Sequence, residues 1–129
     1  MLFRSHILGD ESQLKQVIIN LLTNALDATS NGGRILITTR ADETGGVTLV
    51  IEDSGCGIPL EVQDKLFEPF FTTKPVGKGI GIGLSTCYSI VKNHHGEITV
   101  TSAVGLGSAF RVALPGIKEE WTKKNIPSW

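Results

Sequence analysis

Gln16, Asn20, Thr23, Asn24 and Asp27 fall on one stripe of an otherwise apolar, periodic run. Asn20 and Asn24 are one helical turn apart and point the same way. A solvated helix face is normally filled with Lys and Glu, which favour helices; Asn does not. The stripe reads either as an exposed polar face of poor helix propensity or as a row of amide oxygens aimed at a ligand or a hard cation, since Mg²⁺ takes oxygen ligands and keeps several waters. The second is favoured, because asparagines here weaken the helix without an evident structural return. A second group is Gly77-Lys78-Gly79-Ile80-Gly81-Ile82-Gly83-Leu84, in which Gly79, Gly81 and Gly83 alternate and lead into an apolar, helix-like run. Glycine lets main-chain N–H groups approach a ligand closely. A glycine loop feeding a helix N-terminus is a ready anion site, because the first helical amides are unpaired. Lys74 and Lys78 add full positive charge nearby. The stretch reads as a phosphate cradle, or taken alone equally as a flexible loop. The third group is Asp53, which shares a strand face with Val47, Leu49 and Ile51 by period two. A carboxylate thus ends an apolar row, and burying it is costly unless it is hydrogen-bonded. Ser54-Gly55-Cys56-Gly57-Ile58-Pro59 follows at once. Two readings stand: an aspartate at an ordinary turn, or a carboxylate at a pocket floor. In the second it accepts a hydrogen bond from an amine such as an adenine N6, and the glycines admit the flat ring.

The elements that must position these groups are legible in the pattern. Asp10 with Gln13 predicts a helix cap with a capping-box partner. Leu14, Val17, Ile18, Leu21, Leu22, Ala25 and Leu26 then repeat as one buried helix face. Ser30-Asn31-Gly32-Gly33 stops that helix. Ile35–Arg40 and Val47–Asp53 are β-rich runs, and Asp42–Gly46 between them predicts an antiparallel hairpin. Pro59 suits the first position of a short helix over Leu60–Phe67, with Val62, Leu66 and Phe67 apolar. Phe67-Glu68-Pro69-Phe70-Phe71-Thr72-Thr73-Lys74-Pro75 breaks it and opens a long segment without regular structure, as functional lids have. Its aromatics are expected to anchor the loop to the core. A second long helix runs from Gly83 to His95, with Leu84, Cys87, Tyr88 and Val91 on one face. His94 and His95 at its end read as caps against the helix dipole. Glu97–Ser102 and Ser108–Leu114 predict a second hairpin around Ala103–Gly107. Pro115 closes the sheet.

With 129 residues, 40% hydrophobic and 19% charged, the chain suits one soluble domain with a real core. A net charge of −1 gives no bulk argument for nucleic acid. No run is long enough to cross a bilayer and no secretory signal precedes the fold. Cys56 and Cys87 are too few for a disulfide framework, and neither they nor His6, His94 and His95 have metal spacing. A cytoplasmic location with reduced thiols is expected, whether or not the parent protein is membrane-anchored. Residues 1–9 read as the remnant of a preceding element, 10–115 as the domain, and 116–129 as a tail carrying Trp121 and Trp129.

The motifs occur in one order: asparagine helix, Asp-x-Gly-x-Gly, Phe-rich segment, Gly-x-Gly-x-Gly-Leu and Gly-x-Gly-Ser-x-Phe. That order resembles the ATP-binding catalytic domain of sensor histidine kinases, in the wider family of DNA gyrase, Hsp90 and MutL. The resemblance spans about Gly9 to Pro115. It implies an α+β fold, a two-layer α/β sandwich of the Bergerat type. Its sheet is mixed and mostly antiparallel, with helices on one face and a mobile ATP lid. The family's short strand before the asparagine helix is truncated or irregular in Leu2–Leu8. Through the resemblance, Gln16–Ala28 is similar to the N box. Asn24 takes the place of the Mg²⁺ ligand, and Asn20 that of a contact to the phosphates or metal shell. Asp27 is a weaker nucleotide contact. Asp53, Gly55, Gly57 and Ile58 correspond to the first glycine box, with Asp53 on the adenine amino group. Phe67–Phe71 resembles the F box. Gly79, Gly81, Gly83 and Leu84 wrap the phosphates, with Lys74 and Lys78 as partners in the lid. Ser108, in Gly105–Phe110, lines the adenine side.

One position separates branches of that family. Hydrolysing members carry a glutamate as general base four residues before the metal asparagine. Here that position is Asn20, and an amide takes no proton at neutral pH. The resemblance therefore implies a protein histidine kinase that holds ATP and Mg²⁺ and presents the γ-phosphate to another nucleophile, with Asn20 and Lys74 as the residues nearest the transfer. The expected partners are a histidine-bearing dimerisation domain, which this chain lacks, and a response regulator downstream. No nucleic acid and no membrane contact are expected for this domain, and alone it should transfer little. The rival readings are an anti-sigma-type serine/threonine kinase and a non-catalytic nucleotide-sensing module of the same fold.

Overall fold

The computed structural model describes residues 9–68 and 82–116. The first helix, α1, spans Glu11–Ala28. Asp10 caps it: its Oδ1 accepts from Ser12 N–H at 2.9 Å and Gln13 N–H at 3.2 Å. The expected box is half realised. The Asp10 N–H donates not to Gln13 but to His94 Nε2, at 3.0 Å. The buried stripe of α1 is also narrower than its periodicity suggests. Val17, Leu21 and Ala25 are buried and Leu14 and Leu22 partly so, whereas Ile18 and Leu26 are 39% and 64% exposed. A helix lying on a sheet beside a second helix covers only the side facing both.

Strands β1 (Ile35–Ala41) and β2 (Val47–Asp53) form the first hairpin. Asp42 closes its turn, with Oδ1 accepting from Thr44 N–H, Thr44 Oγ1–H and Gly46 N–H. Helix α2 is a single turn, Leu60–Gln63, shorter than the expected run to Phe67. Pro59 is its N-cap in extended conformation rather than its first helical residue. Beyond Gln63 the chain continues in tighter turns, with Lys65 N–H on the Val62 carbonyl and Glu68 N–H on that of Lys65.

Helix α3 covers Ile82–Asn93. Cys87, Ile90 and Val91 are its buried residues, and Leu84 packs against them in part. Tyr88, expected on that face, is 40% exposed. Its ring lies 5.6 Å from that of Phe67 and 5.5 Å from Lys92 Nζ. His95 ends α3 in the left-handed region, φ 63°, a position glycine usually takes. His94 is not a solvated cap. It is buried, and its Nδ1 bonds the Ile90 carbonyl at 2.7 Å.

Strands β3 (Glu97–Ala103) and β4 (Gly107–Leu114) complete a sheet ordered β1-β2-β4-β3, with every pairing antiparallel among the described residues. Leu2–Leu8, read as an irregular first strand, lie outside the described residues. The registers Leu49–Val112–Ile98 and Ile51–Phe110–Val100 put apolar side chains on one face, toward α1 and α3. Each fully buried side chain of this core, such as Leu21 or Ile51, contributes about 1.5–3 kcal/mol relative to exposure.

Candidate functional site

Asp53 ends β2 on the helix-facing side, and only 8% of it is exposed. Its register partner on β4 is Ser108, equally buried. The Gly55 N–H donates to Asp53 Oδ1 at 2.9 Å, which turns the chain back as it leaves the strand. The Cys56 N–H then donates to the Ala28 carbonyl at 3.3 Å, tying this turn to the C-terminal end of α1.

The glycines of the turn have a use the sequence reading did not anticipate. A Cβ at Gly55 would run into the Ala28 carbonyl and lie 2.8 Å from Asp53 Oδ1. At Gly57, which has φ 76°, a Cβ would strike the Ala103 carbonyl. Both glycines therefore let backbone meet backbone, drawing α1 and the β3–β4 hairpin onto the turn after Asp53.

Ser102 was not singled out from the sequence, yet it knots the far side of this region. Its Oγ accepts from Ile58 N–H at 2.7 Å and donates to the Gly107 carbonyl at 2.9 Å. The Ser102 proton being spent there, Ser108 Oγ is the donor in the 2.8 Å contact between the two hydroxyls. Gln63 adds a second tie, with Nε2 donating to the carbonyls of Ile58 and Ser102. Only the β3–β4 register, which pairs Ser102 with Ser108, could have signalled this.

The asparagines lie on the same helix whose end holds the Asp53 turn. Asn20 and Asn24 are half-buried, and Gln16, Thr23 and Asp27 are exposed. Asn20 Nδ2 donates to the Gly83 carbonyl in the first turn of α3 at 3.1 Å, and Gln16 Nε2 donates to Asn20 Oδ1 at 2.8 Å. Asn20 also bonds the Cys87 thiol. That bond pulls the thiol down in pKa, against the larger upward push of burial. Gly83 and Leu84 stand in the first described turn of α3.

The structure thus brings together Asn20, Gly83 and Leu84 at one helix contact. It brings Asp53, Gly55, Gly57, Ile58 and Ser108 together at another, and α1, which carries Asn24 and Asp27, joins the two. Lys74, Lys78, Gly79 and Gly81 lie outside the described residues, as does most of the Phe-rich segment. Among the described residues no three His, Cys, Asp or Glu side chains converge as a metal cluster. No described helix is long and apolar enough to cross a membrane.

Comparison with known proteins agrees with this geometry. Residues 9–117 match the family described as histidine kinase-, DNA gyrase B- and HSP90-like ATPase. Sensor kinase CckA of Brucella abortus is 44% identical over 92% of this chain, which spans 14% of that protein. Signal transduction histidine-protein kinase AtoS of Escherichia coli is 45% identical over 86% of the chain, which spans 18% of it. Among solved structures, the catalytic domain of histidine kinase ThkA superposes with a TM-score of 0.75 at 39% identity, covering 85% of this chain and 70% of that one. Full-length ShkA in complex with AMPPNP gives 0.76 at 29% identity, covering 87% of this chain and 23% of that one. The chain belongs to the histidine kinase-, DNA gyrase B- and HSP90-like ATPase family and, within it, to the ATP-binding catalytic domains of sensor histidine kinases.

Proposed function

We propose that this chain binds ATP with Mg²⁺ and presents the γ-phosphate to a histidine on a separate dimerisation domain, for onward passage to a response regulator. The observation that carries the reading is the buried Asp53 carboxylate, opposite Ser108 and fixed through Oδ1 by the Gly55 N–H. An ionised carboxylate only accepts hydrogen bonds, so it suits a nucleobase amine and repels a carbonyl. The AMPPNP complex of ShkA, a protein of the same fold, supports a nucleotide as the ligand.

The donor set fits Mg²⁺. Asn24 offers a carboxamide oxygen, with no carboxylate cage among the described residues, as suits an ion held mainly by water and phosphates. When bound, the ion neutralises charge on the transferring phosphoryl group. The first-turn amides of α3, Gly83 and Leu84 among them, receive phosphate oxygens. Lys74, Lys78, Gly79 and Gly81 extend that contact, with Lys74 set against the transferred group. Asn20 orients the phosphates or the metal's water. Being an amide, it does not take a proton from water, so the site holds ATP for transfer rather than hydrolysing it. Asp27, exposed at the end of the stripe, is at most a peripheral contact.

The test supplies γ-labelled Mg-ATP and a purified sensor-kinase dimerisation domain to the 129-residue chain. We expect acid-labile label on the histidine, little phosphate release by the chain alone, and no label with Asp53→Ala. Acid-stable label on serine or threonine would move the chain to the anti-sigma class. Nucleotide binding with no transfer to any cognate domain would make it a sensing module.

A further inference from the structure

The Asn20 amide is held at both ends, its Nδ2 by the Gly83 carbonyl and the Cys87 sulfur and its Oδ1 by Gln16, and the bonds to Gly83 and Gln16 give it a direction. A carbonyl oxygen only accepts, so the Gly83 carbonyl at 3.1 Å must face Asn20 Nδ2. Oδ1 then faces the other way, toward Gln16, whose Nε2 donates to it at 2.8 Å. Reversing the amide would set oxygen against the Gly83 carbonyl and NH₂ against NH₂. Gln16 thus reinforces the one orientation that Gly83 permits. An amide oxygen has two lone pairs. Gln16 uses one, which aims the other along a set direction from a half-buried side chain. The Gly83 carbonyl also belongs to the peptide that carries the Leu84 N–H, in the first described turn of α3, so the Asn20 bond holds that peptide as well.

We propose that Gln16 is a positioning residue for the phosphate and metal end of the site, acting through Asn20. This rests on the reading of Asn20 as a contact to the phosphates or the metal's water. Gln16 is exposed and one turn from Asn20 on α1. A Gln–Asn pair at that spacing with no further role would affect helix stability and leave ligand affinity alone.

A double-mutant cycle separates the two. Gln16→Met keeps length and helix propensity and removes the donor. Its partner is Asn20→Ala, and the third variant carries both. Each 129-residue variant is titrated with ATP in Mg²⁺ and in EDTA by calorimetry, after a thermal melt shows a folded domain. Gln16→Met should weaken Mg-ATP binding about three- to tenfold, the range of one hydrogen bond. It should cause no further loss in the Asn20→Ala background. It should also shift the Asn20 side-chain amide resonances in the ligand-free chain, as Oδ1 loses its Gln16 donor. Equal weakening in both backgrounds would overturn the proposal, since Gln16 would then act by another route. So would an unchanged Gln16→Met beside a weakened Asn20→Ala, and in that case the site reading stands. An Asn20→Ala chain with parental Mg-ATP affinity would bring down both.

Discussion

Cys87 is fully buried in α3 beside α1, with its Sγ 3.7 Å from the Val17 carbonyl. Burial pushes its thiol up to about 11 from an ordinary 9.0, while its bond with Asn20 pulls more weakly the other way. An unfolded chain therefore loses this proton at a lower pH than the folded one. Between those values the unfolded state gains by ionising and the native state does not, so stability falls as pH rises. The decline should begin near pH 9 and level off near 11, and reach on the order of 2 kcal/mol. Urea unfolding across that range checks it, with Cys87→Ala as the comparison because other groups titrate there too. Parallel curves for parent and variant would rule out Cys87 as the source. The exposed Cys56 provides an internal contrast: at neutral pH it should be alkylated in the native chain, and Cys87 only after unfolding.

At the scale of elements, His94 joins the end of α3 to the start of α1 across a sequence separation of 84 residues. With the Nδ1 proton on the Ile90 carbonyl, Nε2 is free to accept from Asp10, so the neutral ring serves both helices. The fit is close: a Cβ at Gly9 would lie 2.8 Å from Leu14 Cδ1 and 2.9 Å from His94 Cδ2. His94→Ala should lower stability by about 1–3 kcal/mol, through the orphaned Asp10 N–H and the vacated volume. Amide exchange at Asp10 should rise in the variant while Ser12 and Gln13, held by the Asp10 carboxylate, stay slower. An unchanged Asp10 exchange rate would remove the bond from the account. This junction also marks where sequence reading stops. The Asp10 cap, both hairpins and the four strands follow from local chemistry and period, and they stand where the pattern put them. The partner of the Asp10 N–H does not follow, because nothing near Asp10 or His94 in sequence refers to the other. The exposure of Ile18, Leu26 and Tyr88 was hidden for a similar reason. Periodicity marks an apolar side but not how much of it neighbours will cover. Likewise the site motifs gave the residue types, while the packing use of Gly55 and Gly57 appeared only once Ala28 and Ala103 were seen against them.

For the whole molecule, the two ends of the site depend on the same tertiary contacts as the core. Asp53 is positioned by β4 and by the end of α1, and Asn20 by α3, so the ligand contacts come from segments that unfolding separates. A nucleotide that bridges them binds only the folded chain, and its binding free energy then adds to stability. At a hundredfold excess over Kd the gain is about 2.7 kcal/mol, which for a domain of this size is a rise in Tm on the order of 10 °C. Mg-ATP should produce that rise and ATP in EDTA a smaller one. Asn24→Ala should bring the Mg²⁺ response down toward the EDTA value, because it removes the proposed metal contact and leaves Asp53 in place. Asp53→Ala must be read as a shift and not as a Tm. The variant starts from a lower Tm, since the Gly55 N–H loses its acceptor, but addition of Mg-ATP should then raise it little or not at all. A parental shift in Asp53→Ala would mean that the buried carboxylate serves the turn alone and that the base is held elsewhere.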